Sequence, residues 1–228
     1  MLKALLFDLD GTLADTDPVH YETWKEIMAG YGLPIDPTFY AANFSGRLNE
    51  QIITALLPHF STAEGEWLAR HKEAQFRERA ASIPPMPGLL DVLSWMETQQ
   101  LKRAIVTNAP VENAQFMVQS LGLTTTFDTV ILGDELPRGK PDPLPYQTAL
   151  NQLGVAPYEA VAFEDSPSGI RSALAAHIPT VAIASGHDPE ELRSLGTALV
   201  IKDFAEPQLW EWLDQQLLVA ETVGSPNG

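Results

Sequence analysis

Two aspartates two residues apart, Asp8 and Asp10, follow a short apolar run from Ala4 to Phe7, and Gly11 breaks the chain directly after them. The run has strand length and no polar alternation, which is the pattern of a central strand buried on both faces. Residues i and i+2 of an extended chain point to the same side, so both carboxylates face one cavity. Two like charges held together away from water need a cation between them or a proton on one of them. Split in that way, the pair can supply an ionised nucleophile and a protonated general acid. Asp-Gly is also common turn chemistry, so the rest of the chain has to decide between a turn and a site.

Three further segments carry polar groups just after strand-like runs: Thr107-Asn108-Ala109-Pro110, Arg138-Gly139-Lys140-Pro141-Asp142-Pro143 and Glu164-Asp165-Ser166. Each has an ordinary explanation. Thr107 could cap a helix starting at Val111, Lys140 could be a solvated lysine, and Glu164 and Asp165 could cap a helix starting at Pro167. Four successive strand ends make a joint coincidence a poor account, and in a doubly wound sheet ligands bind beyond those ends. Carboxylates, a hydroxyl and an ammonium in one crevice suit a hard cation and a phosphate. Magnesium takes carboxylate, carbonyl and water oxygens and bridges to phosphate. Thr107 and Lys140, with neighbouring backbone N–H groups, would hold phosphoryl oxygens.

The elements that must position these groups are read from hydrophobic period and breakers. Residues 15–83 are helical in pattern throughout. A first helix follows Asp15-Thr16-Asp17-Pro18 and ends near Gly30 or Gly32, Pro34, Asp36 and Pro37 make a break, and helices run over about 49–57 and 62–80. Ile83-Pro84-Pro85-Met86-Pro87-Gly88 is a stiff connector. From Leu89 helices and strands alternate: helices over 89–99, 111–121, 144–153, 167–176 and 208–217, and strands over 102–107, 129–132, 160–164, 180–183 and 198–201. Such alternation predicts an α/β fold with a doubly wound parallel sheet. Residues 1–14 and 84–221 would form this catalytic core, 15–83 a small helical cap inserted after the first strand, and 222–228 a disordered tail.

Bulk properties narrow the function. The 228 residues carry a formal net charge of −16, which argues against nucleic-acid or anionic-membrane partners. An anionic substrate would then depend on local cations. There is no cysteine, so disulfides and thiolate metal sites are excluded, in keeping with a reducing compartment. The first residues do not read as a signal peptide, and no apolar stretch is long enough for a membrane span. A cytoplasmic monomer is expected.

Phe7-Asp8-Leu9-Asp10-Gly11-Thr12-Leu13, Thr107-Asn108, Gly139-Lys140-Pro141-Asp142-Pro143 and Phe163-Glu164-Asp165-Ser166 resemble, in order, the four motifs of the haloacid dehalogenase (HAD) superfamily. The likeness covers essentially the whole chain, and the helical insertion resembles the cap of the β-phosphoglucomutase-like subfamily, which includes many sugar-phosphate phosphatases. The resemblance implies that Asp8 attacks phosphorus to give an aspartyl phosphate and that Asp10 serves as general acid and then base. It implies Mg²⁺ held by Asp8, the Asp10 carbonyl and Asp165, with Glu164 nearby, and phosphate binding by Thr107, Asn108 and Lys140. On the cap it points to Gly46, Arg47, Thr16 and His20 as substrate-facing positions, and on the core to Asn113.

These motifs imply a Mg²⁺-dependent phosphatase of a small phosphorylated metabolite, such as a sugar or polyol phosphate. The alternative is a β-phosphoglucomutase, which shares the first half-reaction but passes the phosphoryl group to a sugar hydroxyl. Mutases of this kind tend to carry a serine-rich segment with Lys-Asn after the second motif. Thr107-Asn108-Ala109-Pro110-Val111-Glu112-Asn113 departs from it and leans towards hydrolysis. A dehalogenase would have no use for Asp10 or the Glu164-Asp165 pair. A non-catalytic phospho-acceptor regulator is the remaining class, but such domains lack a cap and are about half this length.

Overall fold

The structure is a computed structural model, and it describes residues 1–44 and 47–218. Gly46 and the tail over 222–228 lie outside the described residues. The chain divides into two compact units, one of Met1–Asp15 with Pro84–Gly228 and the other of Thr16–Ile83.

Strand β1 (Ala4–Phe7) is buried along its whole length, as its unbroken apolar run requires. The helical unit follows. Helix α1 (Asp17–Gly30) opens with Pro18 in its first turn and buries Thr23, Trp24, Ile27 and Met28. Helix α2 (Pro37–Asn43) is capped by Asp36, whose carboxylate accepts from the Phe39 N–H at 2.7 Å. This helix stands directly after the break read from Pro34, Asp36 and Pro37. The Asp-Pro pair read as part of a break supplies the cap and first residue of this helix. Helices α3 (Asn49–Leu56) and α4 (Thr62–Ala80) complete the unit, α4 through a capping box between Ser61 and Glu64. Trp24, Met28, Tyr40, Phe44, Ile52, Ile53, Leu57 and Leu68 form its core.

The second unit resumes with α5 (Leu89–Thr98), β2 (Lys102–Thr107), α6 (Val111–Ser120), β3 (Thr129–Leu132) and α7 (Leu144–Leu153). It continues through β4 (Ala160–Glu164), α8 (Pro167–Ala175), β5 (Thr180–Ile183), α9 (Pro189–Ser194), β6 (Leu199–Ile201) and α10 (Pro207–Leu218). The strands form one parallel sheet in the order β3-β2-β1-β4-β5-β6. The doubly wound α/β fold read from the alternation is therefore present. Helix α9 has no counterpart in that reading. Its six residues fall below one amphipathic repeat, and only its Asp188 cap and Pro189 mark it.

β1 lies between β2 and β4, with Phe7 level with Ile105 on one side and Phe163 on the other. The chain leaves β1 for β2 and β3 on one side and crosses back to β4 on the other. That reversal makes the carboxyl ends of β1 and β4 the switch point of the sheet, where ligands bind in such folds. Phe7 stacks on Phe163 at 5.0 Å between ring centroids, and Phe204 packs on both. The opposite face buries Leu6, Val106, Ile131, Tyr146, Leu150 and Ala162. No helix among the described residues is long and apolar enough to cross a membrane.

Candidate active site

The register of the three central strands delivers the polar groups. Asp8 is the first residue beyond β1, and its N–H donates to the Phe163 carbonyl at 2.9 Å, so Asp8 stands beside Glu164 at the end of β4. Lys140, from the loop before α7, reaches across to both. Its Nζ lies 2.5 Å from Asp8 Oδ1 and 2.6 Å from Glu164 Oε1. Tyr146 of α7, wholly buried, donates from its hydroxyl to the same Glu164 oxygen at 2.6 Å, and Lys140 Nζ stands 5.4 Å from its ring centroid.

Close backbone approach makes room for this cluster. A Cβ on Gly169 would lie 1.8 Å from Glu164 Oε2, so only glycine lets the carboxylate pass beneath the first turn of α8. Gly11 has φ +74°, a left-handed conformation suited to glycine, and a Cβ there would lie 2.2 Å from Asp165 Oδ2. The Gly11 carbonyl accepts from the Ser185 hydroxyl at 2.8 Å, which ties the turn after Asp10 to the end of β5.

Asp8, Glu164 and Asp165 each offer a carboxylate oxygen within 4.8 Å of the others. Three carboxylates against one ammonium leave two negative charges in a poorly solvated place, and Glu164 Oε2 is buried with no hydrogen-bond partner. Burial pushes the Asp8 carboxyl up to about 7; Lys140 pulls against that rise, while the charges of Glu164 and Asp10 add to it. Asp165 is pushed well above the carboxylate range by burial and by Asp8 and Glu164. Burial disfavours the Lys140 ammonium, but the charges and hydrogen bonds of Asp8 and Glu164 outweigh it and hold the group above its ordinary value. A divalent cation bound by hard oxygen donors fits this set: it would balance the excess charge and let the carboxylates ionise together.

The other residues singled out from the sequence are placed as follows. Thr107 is buried at the end of β2, where its hydroxyl accepts from the Ala109 N–H at 2.9 Å. It does not cap α6, whose N-cap is Pro110. Glu164 and Asp165 do not cap α8 either, because Ser166 does, accepting from the Gly169 N–H at 3.1 Å. Asp10 is half-buried beyond β1, and its charge acts on Asp8. Asn108 bonds twice to the Lys140 backbone, and Asn113 is buried in the first turn of α6.

In the helical unit, Thr16 precedes α1 and is buried. His20 stacks on Phe76 at 4.0 Å and shares a 2.8 Å hydrogen bond with the buried Lys72. Arg47 is exposed and donates to the Ala42 carbonyl at 3.3 Å.

Sequence reasoning missed Tyr146, Gly169 and Ser185. Tyr146 reads as one more apolar position of an amphipathic helix. The only signal for it was its place in the first turn after the Lys140 loop.

The model of the family described as haloacid dehalogenase-like hydrolase matches residues 5–183. The chain belongs to that family. It is 31% identical over 212 residues to the validoxylamine A 7'-phosphate phosphatase of Streptomyces hygroscopicus subsp. limoneus, covering 90% of this chain and 96% of the relative. It is 25% identical over 235 residues to the β-phosphoglucomutase of Bacillus subtilis (strain 168), covering 97% of this chain and all of that one. Among solved structures it resembles a HAD hydrolase, family IA, variant 3, from Entamoeba histolytica HM-1:IMSS. The TM-score is 0.85 at 30% identity, over 95% of this chain and 100% of that one.

Proposed function

We propose that this chain is a Mg²⁺-dependent phosphatase of a small phosphorylated metabolite, a sugar or polyol phosphate, and that it works through an aspartyl phosphate on Asp8. The observation that carries the reading is the meeting of Asp8, Glu164 and Asp165 around the Lys140 ammonium at the switch point of the sheet. Relatives named for a phosphatase and for a phosphoglucomutase support the substrate class.

Asp8 and Asp165, with the Asp10 carbonyl and with Glu164 beside them, would hold the cation. When bound, Mg²⁺ supplies positive charge against the phosphoryl oxygens and keeps the carboxylates ionised. Thr107 and Lys140 bind the phosphoryl group. A carboxylate oxygen of Asp8 attacks phosphorus as the bond to the leaving oxygen breaks, and Asp10 gives that oxygen its proton. Asp10 then takes a proton from water as the water attacks phosphorus; the bond from phosphorus to Asp8 breaks and free phosphate leaves. Since phosphoryl transfer depends mainly on positioning and charge neutralisation, this short set of groups suffices. The helical unit, through Arg47, His20 and Thr16, and Asn113 of the core are proposed to choose the substrate.

Phosphate release from a panel of phosphorylated metabolites, with and without Mg²⁺, tests the reading. The panel includes glucose 1-phosphate in both anomers, coupled to detection of glucose 6-phosphate. Free phosphate that appears only with the metal is the expected result. Glucose 6-phosphate without free phosphate would make the acceptor a sugar hydroxyl instead of water.

A further inference from the structure

Asn108 directly follows the Thr107 hydroxyl, yet its side-chain amide is engaged by the backbone of another loop. Its Nδ2 donates to the Lys140 carbonyl at 3.0 Å, and its Oδ1 accepts from the Lys140 N–H at 3.0 Å. An amide that donates to and accepts from one residue fixes the peptide groups on both sides of that residue's Cα. The neighbourhood is cleared for it. A Cβ on Gly133, just after β3, would lie 2.2 Å from Asn108 Oδ1, and one on Gly139 would lie 2.7 Å away.

The same loop is held from its other side. Ser172 of α8 donates to the Asp142 carbonyl at 2.5 Å, the Asp142 N–H donates to the Gly139 carbonyl at 3.0 Å, and Asp142 Oδ1 accepts from the Leu144 N–H at 2.9 Å. A lysine head sits at the end of a flexible four-carbon stem, so it can be placed only as well as its own Cα. Here the head must stand 2.5 Å from Asp8 Oδ1.

We propose that Asn108 is a positioning residue: it clamps the Lys140 backbone from the neighbouring strand, so that the ammonium meets Asp8, and it acts on turnover only through Lys140. This rests on the role given to Lys140 above.

The test is a double-mutant cycle on kcat/KM for p-nitrophenyl phosphate with Mg²⁺, using Asn108→Ala, Lys140→Ala and the pair, with melting temperatures alongside. Displacing a reacting group by about 1 Å costs on the order of 10²-fold. Asn108→Ala is therefore expected to lower kcat/KM by about 10–100-fold, and to cost less than threefold more once Lys140 is alanine. Equal losses in both backgrounds would overturn the inference, since Asn108 would then reach the phosphoryl group on its own. Full activity of Lys140→Ala would overturn the reading of Lys140 and the inference with it. If Asn108→Ala does not fold, Asn108→Asp, which keeps the acceptor for the Lys140 N–H, closes the cycle. If Lys140→Ala falls below detection, Lys140→Gln, which also removes the cation, replaces it.

Discussion

The Tyr146 hydroxyl donates to Glu164 Oε1 at 2.6 Å, and both side chains are wholly buried. The acceptor oxygen is the one that pairs with Lys140. Tyr146→Phe keeps the ring beneath the ammonium and removes one of the two donors to a buried carboxylate. Leaving a buried acceptor short of a partner costs about 1–3 kcal/mol. The variant is expected to lose that much in urea unfolding, with an unchanged m-value.

Two glycine substitutions are expected to act in opposite directions. Gly169→Ala drives a methyl to 1.8 Å from Glu164 Oε2. The carboxylate must move, with a loss of about 1–3 kcal/mol and a fall in turnover with it. Gly65 lies in α4 with its nearest neighbour, Ile53 Cγ2, at an ordinary 3.5 Å. Gly65→Ala is expected to gain about 0.5–1 kcal/mol, because alanine loses less backbone freedom in a helix. Thermal melts and turnover of both variants, side by side, check the contrast.

The helical unit contains a buried acid with a definite pH signature. Burial would raise Glu73, but the charges of Lys72 and His20 and the hydrogen bonds from Lys72 and Asn49 hold it below its ordinary 4.5. A carboxyl depressed in the fold binds more protons when unfolded, so its contribution is complete above 4.5 and is lost as the pH falls through the lower folded value. Urea midpoints between about pH 5 and pH 3 are expected to fall more steeply for the wild type than for Glu73→Gln. Parallel curves would remove Glu73 from the acid response.

The carboxylate cluster predicts a stability effect of the metal that does not depend on turnover. On the proposed reading Mg²⁺ would bind the folded cluster and not the unfolded chain, so millimolar Mg²⁺ should raise the melting temperature and EDTA should reverse the rise. Asp165→Asn should abolish most of that shift, since it removes one of the three carboxylates.

Much of this arrangement was legible in the order of residues. The unbroken run from Ala4 to Phe7 specifies a strand buried on both faces, and polar groups after Thr107 and Phe163 mark the ends of its two neighbours. What escaped depends on contacts between distant segments. The Asn108–Lys140 pair is 32 residues apart, and Tyr146 is 18 residues from Glu164. No local period encodes either, nor does it show that Gly169 is there for the carboxylate beneath it. Helix α2 escaped for a local reason, because Asp36-Pro37, read as part of a break, is the cap and first residue of a seven-residue helix.

The covalent role proposed for Asp8 is tested most directly by stopping turnover with borohydride, which reduces an acyl phosphate to the alcohol, and mapping the chain by mass spectrometry. Homoserine at position 8, formed only when substrate and Mg²⁺ are both present, is the expected result. An unmodified Asp8 in protein stopped during steady turnover, with reduction found at another carboxylate or at none, would contradict the account.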